Sequence, residues 1–244
     1  MRGLIVATQF LTRLPTPPLA DWQDDDLARA APWFPVVGLI IGVFVSGALW
    51  GGRLVSPEVA AVAALGVWVW ATGALHLDGL ADTADGLAAA HGNRKRFLDV
   101  ARDPATGAFG VTAIVLALLA KFALLISWAD VTLAGLVALS LIAAWARWIA
   151  CCMAAVLPPL ADGQAARFIA GIDRAQLTVA GAALAAASLW AAPVLVAAPL
   201  LAGAAIVYWR THLGGISGDG FGATIEVCEV AMLAAVVIVM SAAL

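Results

Sequence analysis

Residues 108–128 read AFGVTAIVLALLAKFALLISW, an apolar run in which Lys121 is the only charged residue. A helix rises 1.5 Å per residue, so about 20 residues cross the roughly 30 Å hydrocarbon core of a bilayer. Trp128 closes the run, as expected of a tryptophan at the membrane interface. The stretch therefore predicts a membrane-spanning helix, in which Lys121 could snorkel to the interface and is assigned no role.

The whole chain shares the composition of this run. Hydrophobic residues make up 64% of the 244 residues and charged residues only 12%, about half the charged fraction of a soluble domain. In lipid, helices satisfy their own backbone polar groups. Residues 1–244 are therefore predicted to form one all-α, polytopic membrane domain with the lipid bilayer as a partner. The net charge of −3 argues against nucleic acid as a partner.

Seven apolar runs have a length suited to crossing a bilayer. They cover residues 32–50, 59–77, 108–128, 133–157, 176–191, 193–209 and 225–244. Residues 176–209 are too long for one straight span and give two short ones with a break at Pro193. Seven spans is the prediction, and six is the alternative.

The positions of Lys and Arg orient these spans, because cytoplasmic loops are enriched in positive charge. With the N-terminus in the cytoplasm, Arg53 is the only basic residue in an outside loop. The basic residues on the cytoplasmic side are Arg2, Arg13, Arg29, Arg94, Lys95, Arg96, Arg102, Arg167, Arg174 and Arg210. This asymmetry predicts that the acidic motifs lie in cytoplasmic loops and that the C-terminus lies outside.

The segment HLDGLADTADG, residues 76–86, begins where the second predicted span ends. If the helix continues, Asp78, Asp82 and Asp85 lie at i, i+4 and i+7 on one face, where like charges repel each other. Mg²⁺ explains such a row, since it binds one or two carboxylates together with water and substrate phosphate. All three aspartates are predicted metal ligands. Asp82 and His76 are also candidate catalytic residues as general bases, and a structural role for His76 at the helix end stays open.

Residues 102–110, RDPATGAFG, follow on the same loop. Arg102 can hold two phosphate oxygens, and Asp103 can orient it or reach a metal. Gly107 permits a tight turn with exposed backbone N–H groups at the start of the third span, and a helix N-terminus favours anions. These three residues are predicted to bind substrate.

Residues 214–229, GGISGDGFGATIEVCE, form a glycine-rich loop that leads into the last span. Asp219 is predicted as a metal ligand and Ser217 as a substrate-binding residue, although either could instead cap the helix. Glu226 and Glu229 lie inside the span, where carboxylates are costly and are usually functional or paired.

Arg147 in the fourth span is the expected partner of one of these glutamates. Structural pairing and substrate binding are both compatible with its position, and Arg147 and Glu226 are assigned to the substrate site. The three motifs share one cytoplasmic face in this topology. Their composition predicts Mg²⁺-assisted transfer of a phosphorylated group.

Five segments resemble the cobalamin synthase family, the adenosylcobinamide-GDP ribazoletransferases. They are residues 10–15, 33–38, 76–86, 102–110 and 214–229, which together span nearly the whole chain. By matching position, the functional residues implied by the resemblance are Asp78, Asp82, Asp85, Arg102, Asp103, Asp219 and Glu226.

The resemblance implies a multi-pass enzyme of the cytoplasmic (inner) membrane that requires Mg²⁺ and acts at the last stage of cobalamin biosynthesis. Its implied substrates are adenosylcobinamide-GDP and α-ribazole or α-ribazole 5′-phosphate. The acceptor displaces GMP, and adenosylcobalamin or its 5′-phosphate forms. Whether the chain forms homo-oligomers or associates with other enzymes of the pathway stays open.

Two other functions remain as alternatives. Asp82, Asp85, Gly86 and Ala89 match the opening of the acidic motif of the CDP-alcohol phosphotransferases, but Ala90 stands where that family has Arg. A cation-coupled transporter is the third hypothesis. It is disfavoured because its carboxylates would lie near the bilayer midplane and not at span ends on one side.

Overall fold

The computed structural model describes residues 1–19, 21, 23, 25–128 and 130–242, and within these residues the regular elements are all helices. The α-helices are α1 (Arg2–Leu11), α2 (Asp26–Ala30), α3 (Phe34–Arg53), α4 (Pro57–Thr72), α5 (Leu75–Ala90), α6 (Arg94–Ala101), α7 (Ala108–Ile126), α8 (Leu133–Ala154), α9 (Gln164–Ala170), α10 (Arg174–Ala191), α11 (Ala198–His212) and α12 (Gly218–Ala242). Short 3₁₀ turns, Ala31–Trp33 and Pro193–Ala197, lead into α3 and α11.

The prediction of an all-α, polytopic membrane protein is confirmed. Five helical segments in the described part of the chain are long and apolar enough to cross a bilayer: Asp26–Arg53, Ala108–Ile126, Leu133–Ala154, Pro193–His212 and Gly218–Ala242. A sixth is reached if α4 and α5 together count as one bent span. The predicted number of seven is not confirmed, since α10 over residues 176–191 is not among the candidates. The 18 residues of α10 include Arg174 and Gln176, and their mean hydropathy is below that of the five candidates. The last predicted span, residues 225–244, is described as far as residue 242.

The second predicted span, residues 59–77, does not continue as one helix into the acidic motif. Helix α4 ends at Thr72, and α5 turns away from it by 83°. The N–H of Gly73 bonds to the carbonyl of Trp70 at 3.1 Å, and the N–H of Ala74 bonds to that of Val69 at 3.1 Å. This pair of bonds is the Schellman motif that ends many helices. Gly73 adopts φ +60 without steric cost. The turn gives the acidic residues a separate helix that lies across the direction of α4.

The core is built on α8, which α3 approaches closely. A Cβ atom on Gly38 of α3 would lie only 2.5 Å from the carbonyl oxygen of Ala143, so only glycine fits there. Small residues at such contacts let membrane helices pack backbone to backbone. The hydroxyl of Ser46 reinforces the contact by donating to the carbonyl of Leu136 at 2.8 Å.

Two loops meet at one end of the bundle. The N–H of Leu160, after α8, bonds to the carbonyl of Ile216 at 2.9 Å, and the N–H of Ile216 bonds to that of Pro158 at 3.0 Å. Ile216 lies two residues before the start of α12, and α12 packs along α5. The loop after α8, the start of α12 and the acidic helix α5 are therefore neighbours.

Candidate active site

Four carboxylates gather where α5 meets the first turn of α12. Asp78, Asp82 and Asp85 lie along α5 as predicted, and the negative charges of Asp78, Asp219 and Asp85 all act on the Asp82 carboxylate. Asp82 is half-buried, whereas Asp78 is exposed. Mutual repulsion in a partly desolvated position favours binding of a cation or a proton by Asp82. The structure thus brings Asp219 to the acidic row from a position 137 residues away from Asp82 in the sequence.

Gly79 permits this meeting of the two helices. A Cβ atom on Gly79 would lie 2.9 Å from the carbonyl oxygen of Asp219 and 3.0 Å from its Cα. A Cβ on Gly222 of α12 would lie 3.3 Å from the Cα of His76. Backbone atoms cannot yield as a flexible side chain can, so glycine at these positions sets the distance between α5 and α12.

Replacement of Gly79 by alanine is therefore expected to push α12 away from α5. Overpacking of this kind costs about 1–3 kcal/mol of stability, and displacement of Asp219 should also lower turnover. Gly66→Ala is the matched control, because Gly66 is exposed on α4 with no atom within 4 Å of an added Cβ. Thermal unfolding and turnover of both variants test the expectation. Equal behaviour of Gly79→Ala and Gly66→Ala would show that the contact is unimportant.

Asp85 braces the start of α7. Its carboxylate accepts hydrogen bonds from the N–H of Gly107 at 2.6 Å and from the N–H of Gly110 at 2.9 Å. A carboxylate at a helix N-terminus is stabilised by the unpaired N–H groups and the helix dipole. The sequence predicted that backbone N–H groups at the start of α7 bind a substrate anion. In the structure these groups, including that of Gly107, donate to the Asp85 carboxylate instead.

Arg102 and Asp103 are adjacent in sequence but face different pockets. The positive charge of Arg102, which is exposed, acts on Asp219. Asp103 lines a separate surface pocket with Asp85 and Gly107, and its Oδ1 accepts from the N–H of Ala105 at 2.9 Å. The structure thus brings Arg102, but not Asp103, to the meeting point of α5 and α12.

Ser217 occupies the N-cap of α12. Its hydroxyl oxygen accepts from the N–H of Gly220 at 3.0 Å, which is the capping role left open by the sequence. Ser217 also lines a pocket together with Arg102 and Asp219, which we call the arginine pocket.

A buried network of charges lies among α5, α7, α8 and α12. The Nζ of Lys121 lies 2.7 Å from the Oε2 of Glu226 and 2.5 Å from the Oε2 of Glu229. Arg147 pairs with the other oxygen of Glu229, as expected for one of the glutamates. The expectation that Lys121 could snorkel is wrong, because its side chain is turned inward and only 2% of the residue is exposed. Lys121 and Arg147 thus face Glu226 and Glu229. Glu226 and Arg147, which the sequence assigned to the substrate site, are engaged in buried ion pairs.

His76 is held by this network. Its Nδ1 lies 3.1 Å from the Nη2 of Arg147. A guanidinium group can only donate, so Nδ1 accepts, and the neutral ring carries its proton on Nε2. In this tautomer Nε2 already carries a proton and cannot act as a base. The geometry therefore does not favour the general-base role that was predicted for His76 from the sequence. Nε2 is buried and has no partner among the described residues.

An apolar cavity of about 140 Å³ adjoins the acidic row. We call it the phenylalanine cavity, because Phe10, Phe34, Phe168 and Phe221 line it. His76, Asp78 and Asp219 also contribute to its wall. It shares Gln164, Ala165, Gly218 and Asp219 with the arginine pocket, so the two spaces adjoin.

The carboxylates of this site could hold Mg²⁺ only together with further ligands. In the described part of the chain, no three His, Cys, Asp or Glu side chains form a ready-made metal site. Mg²⁺ seldom requires one, since it usually keeps several waters and binds one or two carboxylates together with substrate phosphates. The mutually repelling carboxylates of Asp78, Asp82 and Asp219 would suit that mode, with a phosphorylated substrate supplying the remaining ligands.

Comparison with known proteins places the chain in a family. Residues 3–237 match the family described as cobalamin-5-phosphate synthase. The chain is 49% identical to the adenosylcobinamide-GDP ribazoletransferase of Novosphingobium aromaticivorans over 98% of this chain and 97% of that protein. It is 46% identical to the enzyme of the same name from Thiobacillus denitrificans, over 96% and 94% of the two chains. The corresponding protein of Laribacter hongkongensis is 48% identical over 96% and 95%.

No solved structure is significantly similar to the chain. The family match covers the acidic helix, the arginine pocket and the buried charge network alike, and it agrees with the resemblance carried by the sequence motifs. With near-complete coverage on both sides and a shared transferase name among these relatives, the chain belongs to the cobalamin-5-phosphate synthase family, as a membrane-bound transferase of cobalamin synthesis.

Proposed function

We propose that this chain joins α-ribazole, or its 5′-phosphate, to adenosylcobinamide-GDP with the help of Mg²⁺. The observation that carries the proposal is the meeting of Asp78, Asp82 and Asp219 with Arg102 beside an aromatic cavity. Relatives at 46–49% identity are named adenosylcobinamide-GDP ribazoletransferase, which supplies the identity of the donor substrate.

The proposed reaction is a phosphoryl-type substitution. A hydroxyl oxygen of the acceptor attacks the phosphorus that is bonded to cobinamide, the bond from this phosphorus to the GMP oxygen breaks, and GMP leaves. The product is a phosphodiester, adenosylcobalamin or its 5′-phosphate, and the hydroxyl proton must be accepted. Mg²⁺, when bound, would neutralise charge on the diphosphate.

The residues of the chain have separate roles in this proposal. Arg102 in the arginine pocket binds phosphate oxygens, as guanidinium groups commonly do. Asp78, Asp82 and Asp219 hold the cation that accompanies the diphosphate. Asp82 is the candidate proton acceptor, because burial and the neighbouring carboxylates of Asp78, Asp219 and Asp85 favour its protonated form when no cation is bound. His76 is not assigned the proton transfer, because the contact of its Nδ1 with Arg147 favours the tautomer in which Nε2 carries the proton.

The alternatives are less well supported. The CDP-alcohol phosphotransferase motif is incomplete at Ala90, and the match to a different family runs over residues 3–237. A transporter would be expected to carry its charges along a path through the bundle. Here Lys121, Arg147, Glu226 and Glu229 neutralise one another in the interior.

Purified protein tests the proposal directly. Adenosylcobinamide-GDP, α-ribazole and Mg²⁺ should give equal amounts of GMP and adenosylcobalamin, and omission of α-ribazole should abolish both. Comparison of kcat/KM for α-ribazole and its 5′-phosphate identifies the preferred acceptor. Absence of GMP release in every detergent and lipid tested would rule out the reaction.

The proposed location is the cytoplasmic membrane, with the N-terminus and the active site facing the cytoplasm. In a background without the natural cysteines, Lys95→Cys on exposed α6 should react with a membrane-impermeant thiol reagent only after the cytoplasmic side is opened. Leu54→Cys, in the exposed segment after α3, is the control and should react from outside. The reverse pattern would overturn the orientation.

A further inference from the structure

The phenylalanine cavity has no ligand assigned to it in the reaction described above. Its four phenylalanines come from α1, α3, α9 and α12 and pack against one another in a chain. Ring centroids lie 6.0 Å apart for Phe10 and Phe34, 4.5 Å for Phe34 and Phe168, and 5.4 Å for Phe168 and Phe221. The cavity is thus a place where separate helices bring aromatic side chains together around an open space.

The size and lining of the cavity restrict its occupant. An apolar cavity of roughly 150 Å³ accommodates a benzene molecule, so about 140 Å³ encloses one six-membered ring, and the rest of a larger ligand must project outward past the polar residues of the wall. A corrinoid is far too large. Guanine would place several donors and acceptors against phenylalanine side chains, and each unpaired polar group is costly. The chemistry favours a planar, largely apolar aromatic ring.

His76 supplies a second and independent observation. The residue is only 3% exposed, lines the cavity, and has a buried Nε2 without a partner among the described residues. Because Nδ1 accepts from Arg147, Nε2 bears the proton. A buried donor left unpaired is costly. Nε2 is inaccessible to solvent, so a shift of the ring or of its neighbours would have to open it before a ligand with one acceptor atom on its ring could satisfy it.

We propose that the phenylalanine cavity binds the dimethylbenzimidazole ring of α-ribazole, and that the Nε2–H of His76 donates a hydrogen bond to the unsubstituted nitrogen of that ring. This ring system is planar and apolar except for this one acceptor. The ribose would then extend past Asp219, which the cavity shares with the arginine pocket. The ribose hydroxyls are thereby directed toward the diphosphate of the donor.

This inference rests on the proposed function for the identity of the acceptor, but binding can be tested without turnover. Titration calorimetry with α-ribazole alone should show binding to the purified protein. The α-riboside of dimethylindole, in which the acceptor nitrogen is replaced by C–H, should bind roughly tenfold more weakly, as expected for one lost hydrogen bond.

Variants of His76 separate hydrogen bonding from folding. In His76→Asn the side-chain oxygen can still accept from Arg147, but the donor at the Nε2 position is lost, so both ligands should bind with the same affinity. In His76→Gln the amide can place a donor near the Nε2 position, which should partly restore the preference for α-ribazole. An unchanged tenfold preference in His76→Asn would overturn the hydrogen bond.

Variants of the phenylalanines test the cavity itself. Phe34→Leu and Phe168→Leu should raise the KM for α-ribazole several-fold and leave the KM for adenosylcobinamide-GDP unchanged. Phe109→Leu is the control, since Phe109 is 66% exposed on α7 and lies outside the cavity. Displacement of α-ribazole by GMP, or a selective rise in the KM for adenosylcobinamide-GDP, would assign the cavity to guanine and overturn the proposal.

The two proposals fail in different ways. Binding of α-ribazole with the expected ligand preference, but without GMP release, would contradict the proposed function and leave the cavity assignment standing. Turnover of both substrates by a protein whose phenylalanine and His76 variants have unchanged KM for α-ribazole would contradict the cavity assignment alone.

Discussion

Replacement of Asp82 by asparagine is expected to lower turnover by at least about a hundredfold, a loss typical of removing one preorganised electrostatic group from an active site. Asparagine keeps the volume of the side chain but removes its charge. Because the charges of Asp78, Asp85 and Asp219 repel the Asp82 carboxylate, the variant should be as stable as the original protein or more stable. Lower activity with undiminished stability is the expected signature of a site strained for function.

Mg²⁺ provides a second readout for Asp82. A cation that binds only the folded protein raises its melting temperature, so Mg²⁺ should stabilise the original protein and have a weaker effect on Asp82→Asn. Asp99→Asn on α6, which changes an exposed carboxylate outside the acidic row, is the matched control and should retain both activity and the Mg²⁺ effect. Activity of Asp82→Asn close to that of the original protein at saturating Mg²⁺ would remove Asp82 from the site.

Replacement of Glu229 by glutamine is expected to destabilise the fold by about 3–5 kcal/mol, the usual cost of leaving a buried charge without its partner. Glu229 pairs with both Lys121 and Arg147, whereas Glu226 pairs with Lys121 alone. Glu226→Gln should therefore cost less. In thermal unfolding, the Glu229 variant should melt on the order of 10 °C lower, given about 2–4 °C per kcal/mol for a chain of this size.

A double variant that keeps the buried network electrically neutral is the control for these single substitutions. Lys121→Met combined with Glu226→Gln removes one cation and one anion and leaves the Arg147–Glu229 pair intact, so the double variant should be more stable than Glu226→Gln alone. Glu58→Gln, at the exposed start of α4, should change stability by no more than about 0.5 kcal/mol. A Glu229→Gln protein that melts like the original would show that the ion pairs do not support the fold.

Hydropathy and local spacing were sufficient to predict several features. The helical, polytopic architecture follows from apolar runs, because a lipid-embedded backbone must satisfy its own hydrogen bonds. The placement of Asp78, Asp82 and Asp85 on one helix follows from their spacing. The pairing of Arg147 with a glutamate of the last span also followed, since isolated charges in an apolar environment require partners.

Other features depended on local signals that the hydropathy pattern hides. The break between α4 and α5 lies inside a continuous apolar run, and the one available cue was Gly73, whose positive φ ends the helix. From the sequence, capping of α12 was one of two possible roles for Ser217, and substrate binding was the other. Lys121 was misjudged because an isolated lysine in a span can either snorkel or pair, and the choice depends on which helix faces it.

The sequence by itself determined that this chain is a helical membrane protein, that one of its helices carries an acidic row, and that its motifs match one transferase family. These properties arise from composition and from spacing within single segments. The tertiary structure alone decided that Asp219 joins Asp82, that Asp85 braces α7, and that four phenylalanines enclose a cavity beside His76. Such contacts join residues far apart in the chain, and they depend on close helix packing at glycines such as Gly79, where the absence of a Cβ lets two backbones meet.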